Sequence, residues 1–239
     1  MFDTVNQIDT QLAPDTKERI LDAAEVLFMQ QGFEATSLRM ITARAGVNLA
    51  AVNYHFGSKD DLIKAVFARR LAPLNAERVA LLDRLEAEAG GRPLDPALIL
   101  EAFLHAGVRL ARDPGRRGGV FLRLLGRTFA EPSGHVREFM PAQYEEVVAR
   151  YKAALGRALP HLSERELVWR LHFIFGAIAY TLGGTDVLKL ACSYPLEDEA
   201  NDPEAVVRHL LPFLVGGLTA PLSHAPSARK PRPVRSKQE

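Results

Sequence analysis

The chain has 239 residues, 47% of them hydrophobic and 25% charged, with a formal net charge of +1. That length supports one large helical domain or a small domain joined to a larger one, while the lone Cys192 excludes an intrachain disulfide and any cluster built on cysteine spacing. A uniformly basic nucleic-acid binder is excluded too, because residues 1–70 hold 8 Lys or Arg against 9 Asp or Glu and the basic excess sits in residues 221–239, with 5 against 1.

The first fifteen residues carry Asp3, Asp9 and Asp15 and no basic residue, unlike the head of a secretory signal. No apolar run reaches the 18 residues of a membrane span, so a cytoplasmic protein with no membrane association is expected. Residues 1–14 read as a flexible start.

Residues 16–31 place Ile20, Ala23, Ala24, Leu27 and Phe28 on one helical stripe, with Asp15 as N-cap, Glu18 in the reciprocal position and Gly32 at the end. A second helix is predicted from about Ser37 to Ala45, capped by Thr36 or Ser37. A third follows the Gly46-Val47 turn over roughly Leu49 to His55, with Asn48 as N-cap. Ser58 caps a long fourth helix, with Asp61 in the reciprocal position; it reaches about Glu88, straight or kinked at Pro73. Past the AGGRPLDP linker, further helices are predicted at 95–112, 117–130, 135–159, 163–190 and 203–219. Ser163 with Glu166, and Asp202 before Pro203, supply caps. The fold class is therefore all-α, about nine helices, with no series of strands. Residues 221–239 combine proline, serine and charge with little to bury, so a disordered basic tail is expected, either adding phosphate attraction or merely solubilising.

Helices two and three have the spacing of a helix-turn-helix, with Leu38, Ile41, Ala45, Val47, Val52 and Phe56 locking them against the first helix. A helix so mounted can enter the major groove, about 12 Å wide. Asn53 is then a base-edge candidate, since an amide pairs with adenine N6 and N7, while Leu49 and Ala50 offer surface to thymine methyls. Tyr54, His55 and Lys59, with the Thr36 or Ser37 hydroxyl and Arg39 at the start of the second helix, are phosphate candidates. The same pattern also suits three helices that only pack as scaffold.

Residues 16–67, TKERILDAAEVLFMQQGFEATSLRMITARAGVNLAAVNYHFGSKDDLIKAVF, resemble the amino-terminal domain of TetR-family transcriptional regulators. The resemblance rests on Phe28, Gly32, Thr36, Ala45-Gly46-Val47, Tyr54-His55-Phe56 and Lys59. Where family members commonly carry a small hydroxyl residue, a lysine and a glycine, this chain has Asn48, Leu49 and Ala50. A likeness to the PsrA type of these regulators extends over VFLRLLGRTFAEPSGHVREFM, WRLHFIFGAIAYTLGG and LLPFLVGGLTA. It implies a homodimeric repressor that binds a palindromic double-stranded DNA operator and is released by a long-chain fatty acid or acyl-CoA. The implied domains are residues 15–60 for DNA and 61–220 for effector binding and dimerisation.

In that larger part, Phe103, Phe121 and Leu124 would line an apolar cavity, with His105, Arg123, Arg127, Tyr144 and His172 as its polar groups and Arg123 favoured for an anionic head. Core packing is the competing role for such apolar residues. Trp169, Phe173, Tyr180, Leu210, Phe213 and Leu214 are the candidates for a dimer interface, with Gly176, Gly183, Gly184 and Gly216-Gly217 allowing close helix approach. No metal site, cofactor or catalytic residue is expected, since the chain has no His-Glu-x-x-His, phosphate-binding glycine loop or nucleophile elbow. Not an enzyme, then. The rivals are a regulator of efflux or stress genes sensing a different apolar ligand, and a helical protein-interaction module.

Overall fold

A computed structural model describes residues 15–113, 118–130, 134–183 and 202–222, and among these every regular element is α-helical. The helices are α1 (Thr16–Ala35), α2 (Leu38–Ala45), α3 (Leu49–Phe56), α4 (Lys59–Ala89), α5 (Pro96–Arg112), α6 (Gly118–Ala130), α7 (Gly134–Ala158), α8 (Glu164–Gly183) and α9 (Pro203–Thr219). The readings that concern the first fourteen residues, Gly184, residues 184–190 of the eighth helix, Cys192 and the basic tail fall outside the described residues.

Local chemistry sets most of these boundaries. The Ser37 hydroxyl accepts from Met40 N at 3.3 Å, the Asn48 amide oxygen from Ala51 N at 2.9 Å and the Ser58 hydroxyl from Asp61 N at 3.0 Å. Each satisfies an amide that the first helical turn leaves without a partner. Asp202 does the same for Glu204 N ahead of Pro203. The expected cap at Asp15 is corrected, because Asp15 makes no side-chain cap bond and Glu18 instead accepts from Arg69 of α4 at 2.9 Å. A charge-assisted bond from the Arg69 guanidinium outcompetes a capping box. Gly32 interrupts α1 at φ 81° and ψ 175°, so its last turn changes direction before α2.

Two hydrophobic clusters hold the molecule together. The first joins Ile20, Leu27 and Phe28 of α1, Ile41 of α2, Val52 of α3 and the amino-terminal half of α4 through Leu74. It continues into α6 through Phe121, whose ring meets Phe67 edge-on at 6.0 Å. The second joins Leu82 of α4 to Ile99 and Phe103 of α5, Tyr151 and Leu155 of α7, Ile174 and Ile178 of α8, and Leu214 and Leu218 of α9. Helix α4 belongs to both, and Pro73 lies within it without ending it. Proline there removes the amide that would have bonded to the Arg69 carbonyl, and its ring crowds that carbonyl.

Between α1 and α4 runs a buried ionic joint. Glu25, 2% exposed, accepts from Arg69 Nη2 at 2.6 Å and from Arg70 Nε at 3.0 Å. Arg69 also holds Glu18 and Asp22, each at 2.9 Å. Its Nε is buried with no hydrogen-bond partner.

Candidate nucleic-acid interface and effector cavity

The α2–α3 turn is built by a residue that sequence pattern did not single out. Arg19 of α1 donates from Nε to the Ala45 carbonyl at 3.1 Å and from Nη2 to the Ala45 and Gly46 carbonyls at 2.7 and 2.6 Å. A cation thus sits on the negative end of α2. Gly46 has φ 63°, the left-handed conformation that closes α2 and starts α3 across it, and a β-carbon there would lie 3.3 Å from the Arg19 guanidinium. Both the conformation and the close approach favour glycine.

Val52 anchors α3 to the core at 1% exposure, which turns Leu49, Ala50, Asn53 and Tyr54 to solvent. Tyr54 is 86% exposed, and its ring stands edge-on to His55 at 5.1 Å. Lys59 is half-buried in the first turn of α4, without an ion pair among the described residues, although Asp60 and Asp61 share that turn. The Ser58 hydroxyl, followed by Lys64, holds the Asp61 carboxyl below its ordinary pKa. Arg39 is exposed on α2, as is Arg44 in its last turn. Thr36 is placed otherwise than expected: it is fully buried, and its hydroxyl donates to the Gly32 carbonyl at 2.7 Å. It ties the break in α1 to α2 and offers nothing to a phosphate, whereas Ser37 is exposed as the cap.

Two adjoining cavities occupy the larger part of the molecule. One, of about 480 Å³, is walled by Phe103, Phe129, Met140, Tyr144 and Phe175. The other, of about 330 Å³, lies among α5, α6, α8 and α9 and reaches Arg112 and Arg123 at its rim. They share Arg78, Phe103, Ile178 and Leu182. Both volumes lie in the range of small-molecule sites, about 300–1,000 Å³.

Of the predicted effector residues, Phe103, Tyr144 and His172 line the larger cavity and Arg123 the smaller. Phe121 and Leu124 do not: they are 0% and 2% exposed in the cluster beneath α1, because α6 turns one face to the head and the other, through Leu125 and Phe129, to the cavity. His105 faces Glu101 one turn along α5 at 3.5 Å and lines neither cavity. The side chain of Arg127 lies outside the described residues.

Sequence reasoning missed Arg78. It is 4% exposed, its guanidinium carbon lies 3.8 Å over the Phe103 ring, and its Nη1 donates to Asn75 Oδ1 at 3.1 Å. Its Nε donates to the Phe103 carbonyl at 3.3 Å. Burial pulls its pKa below the ordinary arginine value, with the neighbouring phenols of Tyr144 and Tyr151 opposing. The signal was present: Arg78 falls on the stripe of Phe67, Leu71, Leu74 and Leu82, all of them buried.

Along α8 and α9 the predicted interface residues divide. Trp169, Phe173 and Tyr180 are 51%, 65% and 49% exposed on α8, the first two stacked at 5.9 Å, and Phe213 is 69% exposed on α9. Leu214 points the other way, into the second cluster at 2% exposure, and Leu210 lines the smaller cavity. Gly176, Gly216 and Gly217 leave open space where a β-carbon would stand.

Residues 20–66 match the family profile "Bacterial regulatory proteins, tetR family", and residues 101–217 match "Tetracyclin repressor-like, C-terminal domain". The chain is 34% identical over 157 residues to the HTH-type transcriptional repressor Rv3405c of Mycobacterium tuberculosis, covering 64% of this chain and 70% of that one. The chain belongs to the TetR family. The HTH-type transcriptional regulator SrpR of Pseudomonas putida is 40% identical over 65 residues, 27% of this chain and 30% of SrpR. The chain thus spans less than half the length of several curated relatives it matches. The TetR fold is shared with the fatty acid degradation regulator FadR from Bacillus halodurans at a TM-score of 0.55 and 16% identity, over 87% of this chain and 98% of that one. Among the described residues no group of histidines, cysteines and carboxylates is placed to hold a metal, and no helix is long and apolar enough to cross a membrane.

Proposed function

We propose that this TetR-family protein is a transcriptional repressor that binds a palindromic operator as a homodimer and releases it when a long-chain fatty acid or acyl-CoA occupies the larger cavity. The carrying observation is that one helix, α4, runs from Lys59 beside the exposed tip of α3 to Arg78 in the cavity wall. An effector there touches the element on which the head is mounted.

Asn53 reads a base edge, Leu49 and Ala50 contact thymine methyls, and Ser37, Arg39, Tyr54, His55 and Lys59 hold phosphates. A single α3 covers few bases, so two copies about 34 Å apart, or a multiple of that, read an inverted repeat. Trp169, Phe173, Tyr180 and Phe213 form the apolar face that a second copy covers, the glycines beside them admitting its helices. The PsrA-type likeness and the phenylalanine-rich cavity support a lipid effector. So does FadR, a fatty acid degradation regulator on this fold.

The test is an operator-binding titration with oleate and oleoyl-CoA, on an inverted repeat selected from random duplexes. At least tenfold weaker DNA binding with either is expected. Unchanged affinity with both removes the fatty-acid reading; failure to select any duplex removes the regulator reading.

A further inference from the structure

We infer that Arg78 is the anion anchor of the effector cavity, and that its guest is an apolar chain ending in a free carboxylate rather than in a neutral head or a thioester. This rests on the effector-cavity reading above and narrows its ligand.

Arginine is almost never buried without a countercharge, because desolvating it costs several kcal/mol that only a paired charge and full hydrogen bonding offset. Here the offset is partial. Arg78 spends Nε on the Phe103 carbonyl and one Nη1 proton on Asn75, hydrogen-bonds the Tyr144 hydroxyl, rests on the Phe103 ring, and neighbours the Tyr151 phenol. All of these partners are neutral. Among the described residues no carboxylate bears on it, and neither cavity has an aspartate or glutamate in its wall. The contrast within the same helix is instructive, since Arg69 and Arg70, one turn before Pro73, share the buried Glu25.

The position of Arg78 fits a head-group site. It belongs to the wall shared by both cavities, and from it the larger cavity extends past Phe129, Met140 and Phe175 with little polar surface. A carboxylate at the guanidinium leaves its chain in that apolar space. With N–H groups committed to the Phe103 carbonyl, Asn75 and the Tyr144 hydroxyl, the two that remain of five match one planar, singly charged head rather than several phosphates. A thioester presents a neutral carbonyl at this point and forfeits the charge. Arg112, at the rim of the smaller cavity, is already bonded to Glu204 at 2.9 Å and close to Asp202, which makes it a poor rival for the anion.

The location also explains how occupancy reaches the DNA head. Arg70 and Arg78 are eight residues apart on α4, about 12 Å along the axis at 1.5 Å per residue. Pulling Arg78 toward a carboxylate therefore acts two turns from the joint that fastens α4 to α1.

The experiment measures dissociation constants by calorimetry for oleate, oleyl alcohol and oleoyl-CoA against the wild-type chain, Arg78→Lys and Arg78→Met, with retention of operator binding as the folding control. Wild type should prefer oleate to oleyl alcohol by about 10- to 100-fold, the range of a charge-assisted hydrogen bond at 1.4 kcal/mol per tenfold. Arg78→Met should bring that ratio to about one while leaving oleyl alcohol affinity within about threefold; Arg78→Lys should keep a preference for oleate. Equal wild-type affinity for acid and alcohol, an undiminished ratio in Arg78→Met, or tighter binding of oleoyl-CoA than of oleate overturns the anchor. If no oleyl compound binds wild type, the fatty-acid reading falls, and a set of aryl and alkyl carboxylates paired with their amides decides the anchor separately. Preference for the carboxylates, lost in Arg78→Met and kept in Arg78→Lys, upholds it; binding of the amides alone, or an undiminished preference in Arg78→Met, overturns it. Should Arg78→Met not fold, Arg78→Gln, which keeps donors for Phe103 or Asn75 without the charge, carries the decision: its acid-to-alcohol ratio should fall to about one, and an undiminished ratio overturns the anchor.

Discussion

Replacing Glu25 with glutamine tests the joint between the DNA head and the body. Glu25 is 2% exposed and serves two guanidiniums, one of which, on Arg70, is 9% exposed with Glu25 as its carboxylate partner. Removing one member of a buried ion pair costs about 3–5 kcal/mol, because the other charge stays desolvated. Two structural details reduce this. Arg69 keeps Glu18 and Asp22, so only Arg70 is stranded, and the glutamine oxygen still accepts a hydrogen bond worth about 1 kcal/mol. A net loss of about 3 kcal/mol follows, or a fall in Tm of about 6–12 °C for a chain of this size.

Urea denaturation of wild type, Glu25→Gln, Arg70→Met and the double variant measures it. The coupling energy between Glu25 and Arg70 should be about 2–3 kcal/mol, with the double variant more stable than Glu25→Gln because no charge is left buried alone. A loss below about 1 kcal/mol in Glu25→Gln, or an additive double variant, would refute the reasoning. In that case α1 is held to α4 by the apolar contacts of Ile20, Leu27 and Phe67, and the ionic network only decorates the seam.

Four further outcomes are expected. Lys59→Ala should weaken binding to all duplexes and reduce the slope of log K against log salt by about 1, whereas Asn53→Ala should relax preference at a single base pair by about 1–3 kcal/mol, both read by fluorescence anisotropy over a mutated operator series. Phe173→Glu with Phe213→Glu, at positions 65% and 69% exposed, should yield a folded monomer in analytical ultracentrifugation, and a persistent dimer would move the interface elsewhere. Burial raises the pKa of the Tyr151 phenol, which donates to the Arg78 carbonyl at 2.9 Å, above its ordinary 10.0. Its folded-state pKa being the higher, its contribution is fully present below about pH 10 and is lost as pH rises toward the folded value. Tyr151→Phe should therefore flatten the alkaline decline in stability while costing about 1 kcal/mol at neutral pH.

What the sequence makes legible is what local chemistry decides. Ser37, Asn48, Ser58 and Asp202 cap their helices where read, because a short side chain before a helix meets its first amides whatever the tertiary context. Asp15 and Glu18 carry the same signature and fail, because Arg69, 51 residues from Glu18, offers that carboxylate a stronger partner. The exposed tip of α3 follows from Val52 fixing the inward face. Within the larger domain, periodicity tells that Phe103, Phe121 and Leu124 face inward, but not which interior they face. Helix α6 separates the head's core from the cavity, and only the packing of α1 against it assigns Phe121 and Leu124 to the former. Thr36 misleads for a related reason: a hydroxyl at a helix start reads as a phosphate ligand until the Gly32 break brings a carbonyl within reach of it.

The arrangement of α4 sets a condition on any signal that passes from cavity to DNA. An effector shifts the balance of two head positions only by the difference between its affinities for them, and a tenfold change in operator affinity requires about 1.4 kcal/mol of such difference. Apolar contacts along the cavity wall are poorly suited to supply it, since a flexible chain repacks against Phe129 or Met140 at nearly equal cost in either position. A charge-assisted bond is directional and loses strength steeply over a fraction of an ångström, so a guanidinium carried on α4 would discriminate between positions of that helix that the chain would not. On the other side of Pro73, the Glu25 joint makes the head follow α4 instead of sliding on it. On the proposed anchor the two arginine sites would divide the work: Arg78 would make occupancy favour one position of α4, and Arg69 with Arg70, bonded to α1 carboxylates, would carry α1 with it.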